Sequence, residues 1–570
     1  MKHLTSACAF ACAILATSGA HGAQDTDRRP NVLLIVADDL GYSDIGAFGG
    51  EINTPNLDRL AKEGVRMTDF YASPFCSPTR AMLMSGVDNH RVGLGGMAEL
   101  LTPKQRSAAG YEGYLTHSVV TFPTLLENAG YHTYMVGKWH LGLTEEYSPA
   151  QRGFEQSYAM VQGGASHFDQ TGIITTDPDK TPKAMYRENG KLVDLPDNFY
   201  STVFYTDKIL SYIDSNKDDG KPFFAYVAYT APHWPLQAPD EYIAKYEGEY
   251  DVGYDVIRAQ RLARMKTLGI VPKDMQSYEG NGAWPKWSSL TPVQQRIEAK
   301  RMAVYAAMVE TMDAQIGRIV AHLKETGQYD NTLIFFMSDN GADGNSILDE
   351  AADRDWIRRH ADNSIANTGR KGSFVEYGPG WAQVSATPLH LYKAFAHEGG
   401  IAVPNIVVMP HSPRAGQISR VPAHVTDVAP TILQLAGVSP PDGRYDGRPV
   451  FRMQGTSMLS FLSGQSSKVH GQFVEGWELN GRRAMRKGDW KIAYANKPWG
   501  KDRWELYHVS VDRAELHDLA AQYPAKLKEL VADYQQYQTA NGVQDIPGLA
   551  ERPGYSNGTH YYQDELDTNQ

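Results

Sequence analysis

Residues 32–40 read VLLIVADDL, an uninterrupted apolar run that leads into a pair of aspartates. Six consecutive apolar residues without polar alternation are typical of a β-strand covered on both faces, as in a sheet packed between helices. Asp38 and Asp39 follow the last apolar residue directly. The stretch therefore predicts a central strand of an α/β fold, with two carboxylates at its carboxyl end.

Three other segments repeat this pattern of an apolar run followed by polar side chains. The runs are YHTYMV, FFAYVAYT and TLIFFM, at residues 131–136, 223–230 and 332–337. The polar side chains after them are Lys138 and His140, then His233, then Asp339 and Asn340. Ligands of open α/β sheets bind at the carboxyl ends of the strands. Four such strand ends together predict one functional site.

The remaining patterns predict two domains. Apolar residues at helical spacing over 304–323 indicate a helix, and 426–435 indicate another, interrupted by Pro430. We expect a large, mixed, mostly parallel sheet flanked by helices over 29–440.

A composition rich in Pro, Gly and charge over 439–452 marks a domain boundary. We expect a smaller α+β domain over 441–547, built on an antiparallel sheet with a hairpin turn at Gly488 and Asp489. One helix over 519–537 should pack on this sheet, and a polar tail should occupy 548–570.

The formal net charge of the 570-residue chain is −11, and no run rich in Lys or Arg is present. Nucleic acid is therefore not expected as a partner. A small anionic substrate remains compatible, because a site can carry local positive charge within an acidic protein.

The N-terminus predicts an export signal. Lys2 precedes an apolar run at 7–15 and a segment of small residues, which together indicate a signal peptide over 1–23. The apolar run is too short to span a bilayer, so we expect an exported, periplasmic or extracellular protein without membrane insertion. The alternative is an N-terminal tail with no targeting role.

Cys76 is the only cysteine outside the predicted signal peptide, which contains Cys8 and Cys12. The exported chain could then form no internal disulfide, although it would enter an oxidising compartment. A buried thiol acting as a small hydrophobic group is one interpretation. A reactive or modified thiol is the other.

Oxygen ligands dominate the first and last strand ends. Asp38, Asp39, Asp339 and Asn340 supply carboxylate and amide oxygens, which suit a hard cation such as Ca²⁺ or Mg²⁺. The alternative is that they are turn residues at strand ends, where Asp and Asn are common. Their occurrence after two matching strands favours a metal site.

The stretch CSPTR, from Cys76 to Arg80, resembles the C-x-P-x-R signature of the type I sulfatases. The blocks RPNVLLIVADDLG, GKWHLG, APHWPL, MSDNG and HEGGIAVP also resemble blocks of that family, in the same order. The resemblance extends over 29–519 and is greatest to bacterial arylsulfatases. It implies an alkaline-phosphatase-like fold and hydrolysis of sulfate esters.

The resemblance also implies a modified residue and a metal. Cys76 would be oxidised by a formylglycine-generating enzyme to formylglycine (3-oxoalanine), whose hydrate attacks sulfur with one hydroxyl and expels sulfate with the other. Asp38, Asp39, Asp339 and Asn340, with an oxygen of modified Cys76, would hold a cation. In this family the cation is usually Ca²⁺, and Mg²⁺ is the less expected alternative.

Five further residues take roles from the resemblance. Arg80 would stabilise the ionised hydrate, and Lys138 and Lys393 would bind sulfate oxygens. His140 would be the base for the second hydroxyl, and His233 would protonate the departing oxygen. The alternatives are structural histidines, a surface Lys138 at a strand end, and a solvated Lys393 on a helix.

Three functions therefore compete. The first is a sulfatase, with an aryl sulfate as the test substrate. The second is a phosphonate or phosphate ester hydrolase of the same superfamily, and relative activity on nitrophenyl sulfate and phosphonate esters separates the two. The third is a metal-dependent binding protein without turnover.

Overall fold

The computed structural model describes residues 29–174, 177–280, 282–346, 348 and 351–549. The predicted signal peptide over 1–23 and nearly all of the predicted polar tail over 548–570 lie outside the described residues. Within the described residues, none of the helices combines the length and the apolar character needed to cross a membrane.

Most strands belong to one large sheet. The strands are β1 (Asn31–Ala37), β2 (Val65–Met67), β3 (Phe70–Tyr71), β4 (His132–Lys138), β5 (Gln156–Met160), β6 (Tyr186–Glu188), β7 (Lys191–Val193), β8 (Phe223–Ala228), β9 (Thr332–Ser338), β10 (Asn405–Val408), β11 (Ile418–Ser419), β12 (Ala423–His424), β13 (Arg444–Tyr445), β14 (Arg448–Pro449), β15 (Val474–Leu479), β16 (Arg482–Lys487), β17 (Trp490–Tyr494) and β18 (Glu505–His508). The large sheet has ten strands in the order β11-β2-β10-β9-β1-β8-β4-β5-β6-β7.

The four predicted strands are consecutive neighbours at the centre of this sheet. β9, β1, β8 and β4 pair in parallel, so their carboxyl ends meet at one edge. The outer pairs of β10 with β9 and of β6 with β5 are antiparallel. The expected mixed, mostly parallel sheet is therefore confirmed.

Helices cover both faces of the sheet. They are α1 (Pro55–Glu63), α2 (Cys76–Ser85), α3 (Pro103–Arg106), α4 (Phe122–Asn128), α5 (Ser201–Ser215), α6 (Asp240–Ile243), α7 (Tyr254–Leu268), α8 (Pro292–Glu325), α9 (Ala351–His360), α10 (Gly378–Ser385), α11 (Glu398–Ile401), α12 (Val428–Leu435), α13 (Leu459–Leu462) and α14 (Pro524–Asn541). Alternate β1 residues enter two cores: Leu33 and Ile35 pack on the side of α1, α5 and α8, and Leu34 and Val36 on the side of α2, α4 and α12. Burial on both sides explains the unbroken apolar run.

A second, antiparallel sheet lies near the C-terminus. Its order is β15-β16-β17-β18, and the β16–β17 hairpin turns at Gly488 and Asp489 as predicted. α14 packs on it through Leu530 and Tyr534. The smaller α+β unit is thus confirmed, whereas its exact limits at 441 and 547 stay a prediction.

Three predicted boundaries are wrong for local reasons. The C-terminal helix begins at Pro524 instead of 519, because proline is favoured in the first turn of a helix. Pro430 does not interrupt α12, since it lies in the first turn, where its missing N–H breaks no helical hydrogen bond. β4 continues to Lys138, two residues beyond the predicted end at 136.

Candidate active site

The carboxyl edge of the four central strands gathers the predicted polar residues. Asp38 and Asp39 follow β1, Asp339 and Asn340 follow β9, and Lys138 is the last residue of β4. All five side chains are buried. The sheet order therefore brings together residues that are up to 302 positions apart in sequence (340 minus 38).

Cys76 is the first residue of α2, and its side chain is 1% exposed. Its Sγ lies 3.9 Å from Oδ1 of Asp39. Burial raises the pKa of the Cys76 thiol well above its usual value, although Lys138 and Lys393 oppose the rise. The thiol is therefore neutral at pH 7, and it is not an activated thiolate.

Lys138 pairs with Asp38. Its Nζ donates to both carboxylate oxygens of Asp38, at 2.9 and 2.7 Å. Burial still raises the pKa of Asp38 to about 6, because desolvation outweighs the attraction of Lys138. Lys138 is fully buried, so the alternative of a surface lysine is wrong.

Lys393 pairs with Asp39 and with a carboxylate that we did not predict. Its Nζ lies 2.8 Å from Oδ2 of Asp39 and 2.9 Å from Oδ2 of Asp343. Lys393 lies in the loop between α10 and α11 and is 2% exposed, so the alternative of a solvated helical lysine is wrong. Asp39 adopts a left-handed φ of 65°, which turns the chain sharply after β1.

Arg80 projects from α2 onto Asp339. Its Nε and Nη2 donate to Oδ2 of Asp339 at 2.9 and 2.8 Å, and its Nη1 donates to the carbonyl of Lys138 at 2.8 Å. Burial opposes ionisation of Asp339, but Arg80 and the two lysines lower the pKa of this carboxyl below its usual value. Asp339 is thus held as a carboxylate.

His140 contacts Glu99, which carries no signal in the sequence. Nε2 of His140 lies 3.3 Å from a carboxylate oxygen of Glu99, and because the carboxylate only accepts, Nε2 carries the proton. Nδ1 is buried without a hydrogen-bond partner in the described part of the chain. Burial lowers the pKa of His140 although Glu99 opposes this, so the ring is neutral at pH 7 with a lone pair on Nδ1.

His233 follows β8 and borders the same site. Its Nδ1 donates to the carbonyl of Trp234 at 2.5 Å, and its Nε2 lies 3.5 Å from Oδ2 of Asp39. Burial lowers the pKa of His233 well below its usual value, and Lys138 and Lys393 lower it further. The ring is therefore neutral, and Nε2 faces the carboxylate cluster.

An apolar wall adjoins His233. Trp234 stacks on the His233 ring, with 5.4 Å between centroids, and packs with Ile173 and Phe374. A Cβ placed on Gly164 would lie 2.5 Å from Ile173 and 3.1 Å from the His233 ring. Gly164 therefore packs against both the wall and the imidazole, which lie side by side.

The site fits a divalent cation on two observations. Oδ1 of Asn340 is buried without a partner among the described residues, next to its Nδ2, which donates to Asp39 at 2.6 Å. Ligand atoms of Asp38, Asp39, Cys76 and His233 lie within 4.8 Å of one another.

Charge favours a cation as well. The buried carboxylates Asp38, Asp39, Asp339 and Asp343 face the three cationic side chains of Arg80, Lys138 and Lys393, which leaves one net negative charge. A divalent cation would make the site positive by one charge, which suits an anionic substrate.

Three residues that contact the site were not predicted from the sequence. Asp343 could have been found as a second acidic residue on the loop after β9. Glu99 lies 41 residues before His140 in a loop without a motif. His167, whose Nε2 donates to the carbonyl of His233 at 3.0 Å, likewise follows no strand pattern.

A mixed sheet with a buried, carboxylate-rich site at its parallel strand ends defines an α/β enzyme that acts on an anionic substrate. The family model "Sulfatase" matches residues 30–438, and the chain belongs to the sulfatase family. It is accordingly a sulfuric ester hydrolase.

Similar proteins include an uncharacterized sulfatase of Schizosaccharomyces pombe, 43% identical over 549 residues, which cover 93% of this chain and 98% of that one. The arylsulfatase of Klebsiella aerogenes is 43% identical over 460 residues, which cover 79% and 96%. Among solved structures, Ps i-CgsB in complex with k-i-k-neocarrahexaose superposes with a TM-score of 0.63 at 25% identity, covering 94% and 97%.

Proposed function

We propose that this protein hydrolyses aryl sulfates through a formylglycine derived from Cys76. The observation that supports this most directly is the position of Cys76, at the first turn of α2 and within 3.9 Å of Asp39. The unmodified thiol there is a poor nucleophile, because burial raises its pKa. Conversion to an aldehyde hydrate supplies one hydroxyl to attack sulfur and a second to expel sulfate.

We propose Ca²⁺ as the cation, held by Asp38, Asp39, Asp339 and Asn340 with an oxygen of modified Cys76. The oxygen-only donor set and the partnerless Oδ1 of Asn340 support this choice. Bound there, the cation would polarise a sulfate oxygen and lower the pKa of a nearby hydroxyl.

The cationic side chains bind and orient the sulfate. Lys138 and Lys393 border the carboxylate cluster from β4 and from the loop before α11. Their ammonium groups neutralise charge that develops on the sulfate oxygens. Arg80, held against Asp339 by two hydrogen bonds, keeps positive charge beside residue 76.

The two histidines transfer protons to and from the reacting groups. Neutral His140 accepts a proton at Nδ1, the nitrogen without a partner, while Glu99 holds the proton on Nε2. His233 donates through Nε2 to the departing oxygen, and an anionic substrate beside Nε2 favours its protonation.

The apolar wall supports an aromatic alcohol. Trp234, Phe374 and Ile173 border the space next to His233, which is where the departing group would lie if His233 protonates it. An aryl ring would stack on such a wall, whereas a sugar would leave its hydroxyls unpaired there. The arylsulfatase of Klebsiella aerogenes agrees with this choice.

Two measurements on full-length protein test the proposal. The tryptic peptide that contains Cys76, from a host with a formylglycine-generating enzyme, should show the aldehyde mass. The same protein should hydrolyse nitrophenyl sulfate faster than a nitrophenyl phosphonate ester. Cys76→Ala and Cys76→Ser should each lower sulfatase turnover at least about 10³-fold. Fully active protein with an intact thiol would contradict the mechanism.

Export through a signal peptide over 1–23 remains part of the proposal. The N-terminal sequence of protein secreted from a bacterial host should begin after Ala20 or Ala23, where small residues follow the apolar run. A mature protein that retains Met1 would contradict export by this signal.

A further inference from the structure

A second cluster of metal-type ligands lies apart from the carboxylate site. It consists of His390 and His397, from the loop between α10 and α11 and its end, and Glu515, from the segment after β18. Ligand atoms of the three side chains lie within 4.8 Å of one another, and all three residues are buried. The cluster thus joins the main sheet's loops to the C-terminal unit.

Three of the four imidazole nitrogens in this cluster have no hydrogen-bond partner among the described residues. His397 is completely buried, and neither of its ring nitrogens has a hydrogen-bond partner within the described residues. Nδ1 of His390 is in the same situation. Native proteins rarely bury imidazole nitrogens unpaired, so each such group points to an ion or an ordered water.

Glu515 is oriented toward these nitrogens. Its Oε2 accepts a hydrogen bond from the backbone N–H of Glu398 at 2.9 Å and lies 3.7 Å from Nδ1 of His390. Its Oε1 pairs with Lys491 Nζ at 2.8 Å. Both carboxylate oxygens therefore have a neighbour that fixes their orientation, and Oε2, which accepts a single hydrogen bond, retains a second lone pair.

We propose that His390, His397 and Glu515 bind a divalent transition-metal ion of the zinc type. Two imidazoles and one carboxylate form a ligand set that zinc accepts, with water as a fourth ligand. Imidazole nitrogens disfavour Ca²⁺ and Mg²⁺, so this site differs in metal preference from the oxygen-rich cluster around Asp38. Tetrahedral coordination needs ligand atoms about 3.3 Å apart, which requires only small side-chain shifts.

The protonation states of the two histidines favour metal binding. Burial lowers the pKa of His390 to about 3 and that of His397 well below its usual value, so both rings are in the neutral form that binds metals. Burial also raises the pKa of Glu515 to about 7, despite the attraction of Lys491.

Three positive charges oppose a cation here, from Arg482, Lys501 and Lys491, and Lys491 pairs directly with Glu515. Its Nζ is shared between Oε1 of Glu515 and Oε1 of Glu398, at 2.8 and 2.9 Å. The ammonium is thus compensated by two carboxylates and does not occupy Oε2 of Glu515. A hydrogen-bonded partner on the other oxygen of a ligating carboxylate is the usual way to orient it.

The zinc content of the purified protein tests the proposed site of His390, His397 and Glu515. The full-length protein, dialysed against excess Zn²⁺ with Ca²⁺ present and then against buffer with Ca²⁺ alone, should retain about one zinc per chain by mass spectrometry. His397→Gln and Glu515→Gln should each lower this content at least tenfold. Tyr278→Phe is the matched control, because its ring packs on His390 at 3.9 Å but its buried hydroxyl has no partner among the described residues.

The change in Tm on addition of Zn²⁺ distinguishes a variant that has lost a metal-binding side chain from a variant that does not fold. Zn²⁺ should raise the Tm of the wild type and of Tyr278→Phe but not of Glu515→Gln, which keeps the shape of the side chain. The proposal is overturned if the wild type retains no zinc. It is equally overturned if a folded His397→Gln or Glu515→Gln protein retains as much zinc as the wild type.

Discussion

At the residue scale, the candidate site is a set of buried charges that neutralise one another. Lys138 and Lys393 each bond a carboxylate of the Asp38-Asp39 pair, and Arg80 bonds Asp339. Buried charges persist only when they are paired or bind an ion. The residue types and their places after β1, β4 and β9 could be read from the sequence.

The side chains that contact these residues could not be predicted from the sequence in the same way. Glu99 and Asp343 contact His140 and Lys393 because of loop paths that no periodicity encodes. The sequence likewise held no sign that Lys393 is buried, since its neighbours do not form a strand or a long helix.

Replacement of Glu99 should change the pH dependence of catalysis. Glu99 raises the pKa of His140, against the lowering caused by burial, so Glu99→Gln should lower that pKa further. The acidic limb of kcat, which includes the step that expels sulfate, should therefore move to lower pH in the variant. The loss of kcat should be about tenfold, below the full effect of a general base.

The matched control is Glu145→Gln, because Glu145 is exposed and has no contact with His140. Its pH profile should coincide with that of the wild type. An acidic limb that stays in place or moves to higher pH in Glu99→Gln would contradict the role of Glu99.

At the element scale, four parallel strands present their carboxyl ends as one row. The apolar runs predicted β1 and β9 to within one residue, because strands covered on both faces leave no polar alternation, whereas β8 ends at Ala228, two residues before its predicted end. β15 was not predicted, since Gly476 interrupts its pattern. Edge strands and short strands depend on neighbours that are distant in sequence.

The loop after β5 needs a glycine where it passes His140. A Cβ on Gly163 would lie 2.9 Å from Cε1 of His140, and the buried ring has little room to move. Gly163→Ala should therefore lower kcat by about 10- to 100-fold, as expected for an ångström-scale displacement of a catalytic group.

Gly471→Ala is the control for this substitution, because a Cβ there meets no atom within 4 Å. Both variants should bind Ca²⁺ and keep a Tm near that of the wild type. A wild-type kcat in Gly163→Ala would show that the ring tolerates the added methyl group and would contradict the expected displacement.

At the scale of the whole molecule, a buried polar network joins the C-terminal sheet to the main sheet. Lys491 of β17 pairs with Glu398 at 2.9 Å, and Arg513 lies 3.3 Å from the other oxygen of Glu398. Trp477 of β15 donates to the carbonyl of Ala72 at 2.9 Å. The two sheets were predicted separately, but composition alone could not reveal this connection.

Removal of Lys491 should destabilise the protein strongly. Lys491→Met would leave the fully buried carboxylates of Glu398 and Glu515 without their shared ammonium. Loss of one partner of a buried ion pair costs about 3–5 kcal/mol, so the Tm, measured in the presence of a chelator, should fall by several degrees.

Lys487→Met provides the comparison from the same sheet. Lys487 forms ion pairs with Glu529 and Asp533 near the surface, and such pairs contribute at most about 1 kcal/mol. Equal changes in Tm for the two variants would contradict the structural role of Lys491.

The depth of α2 has a consequence for the order of biosynthetic events. All ten residues of this helix are buried, Cys76 among them. If Cys76 is converted as we propose, the oxidising enzyme must reach it before this helix is enclosed between the sheet and α12. Chains that fold before this oxidation would therefore keep the thiol permanently. A preparation would then contain active and inactive molecules, in a ratio set by the relative rates of oxidation and folding.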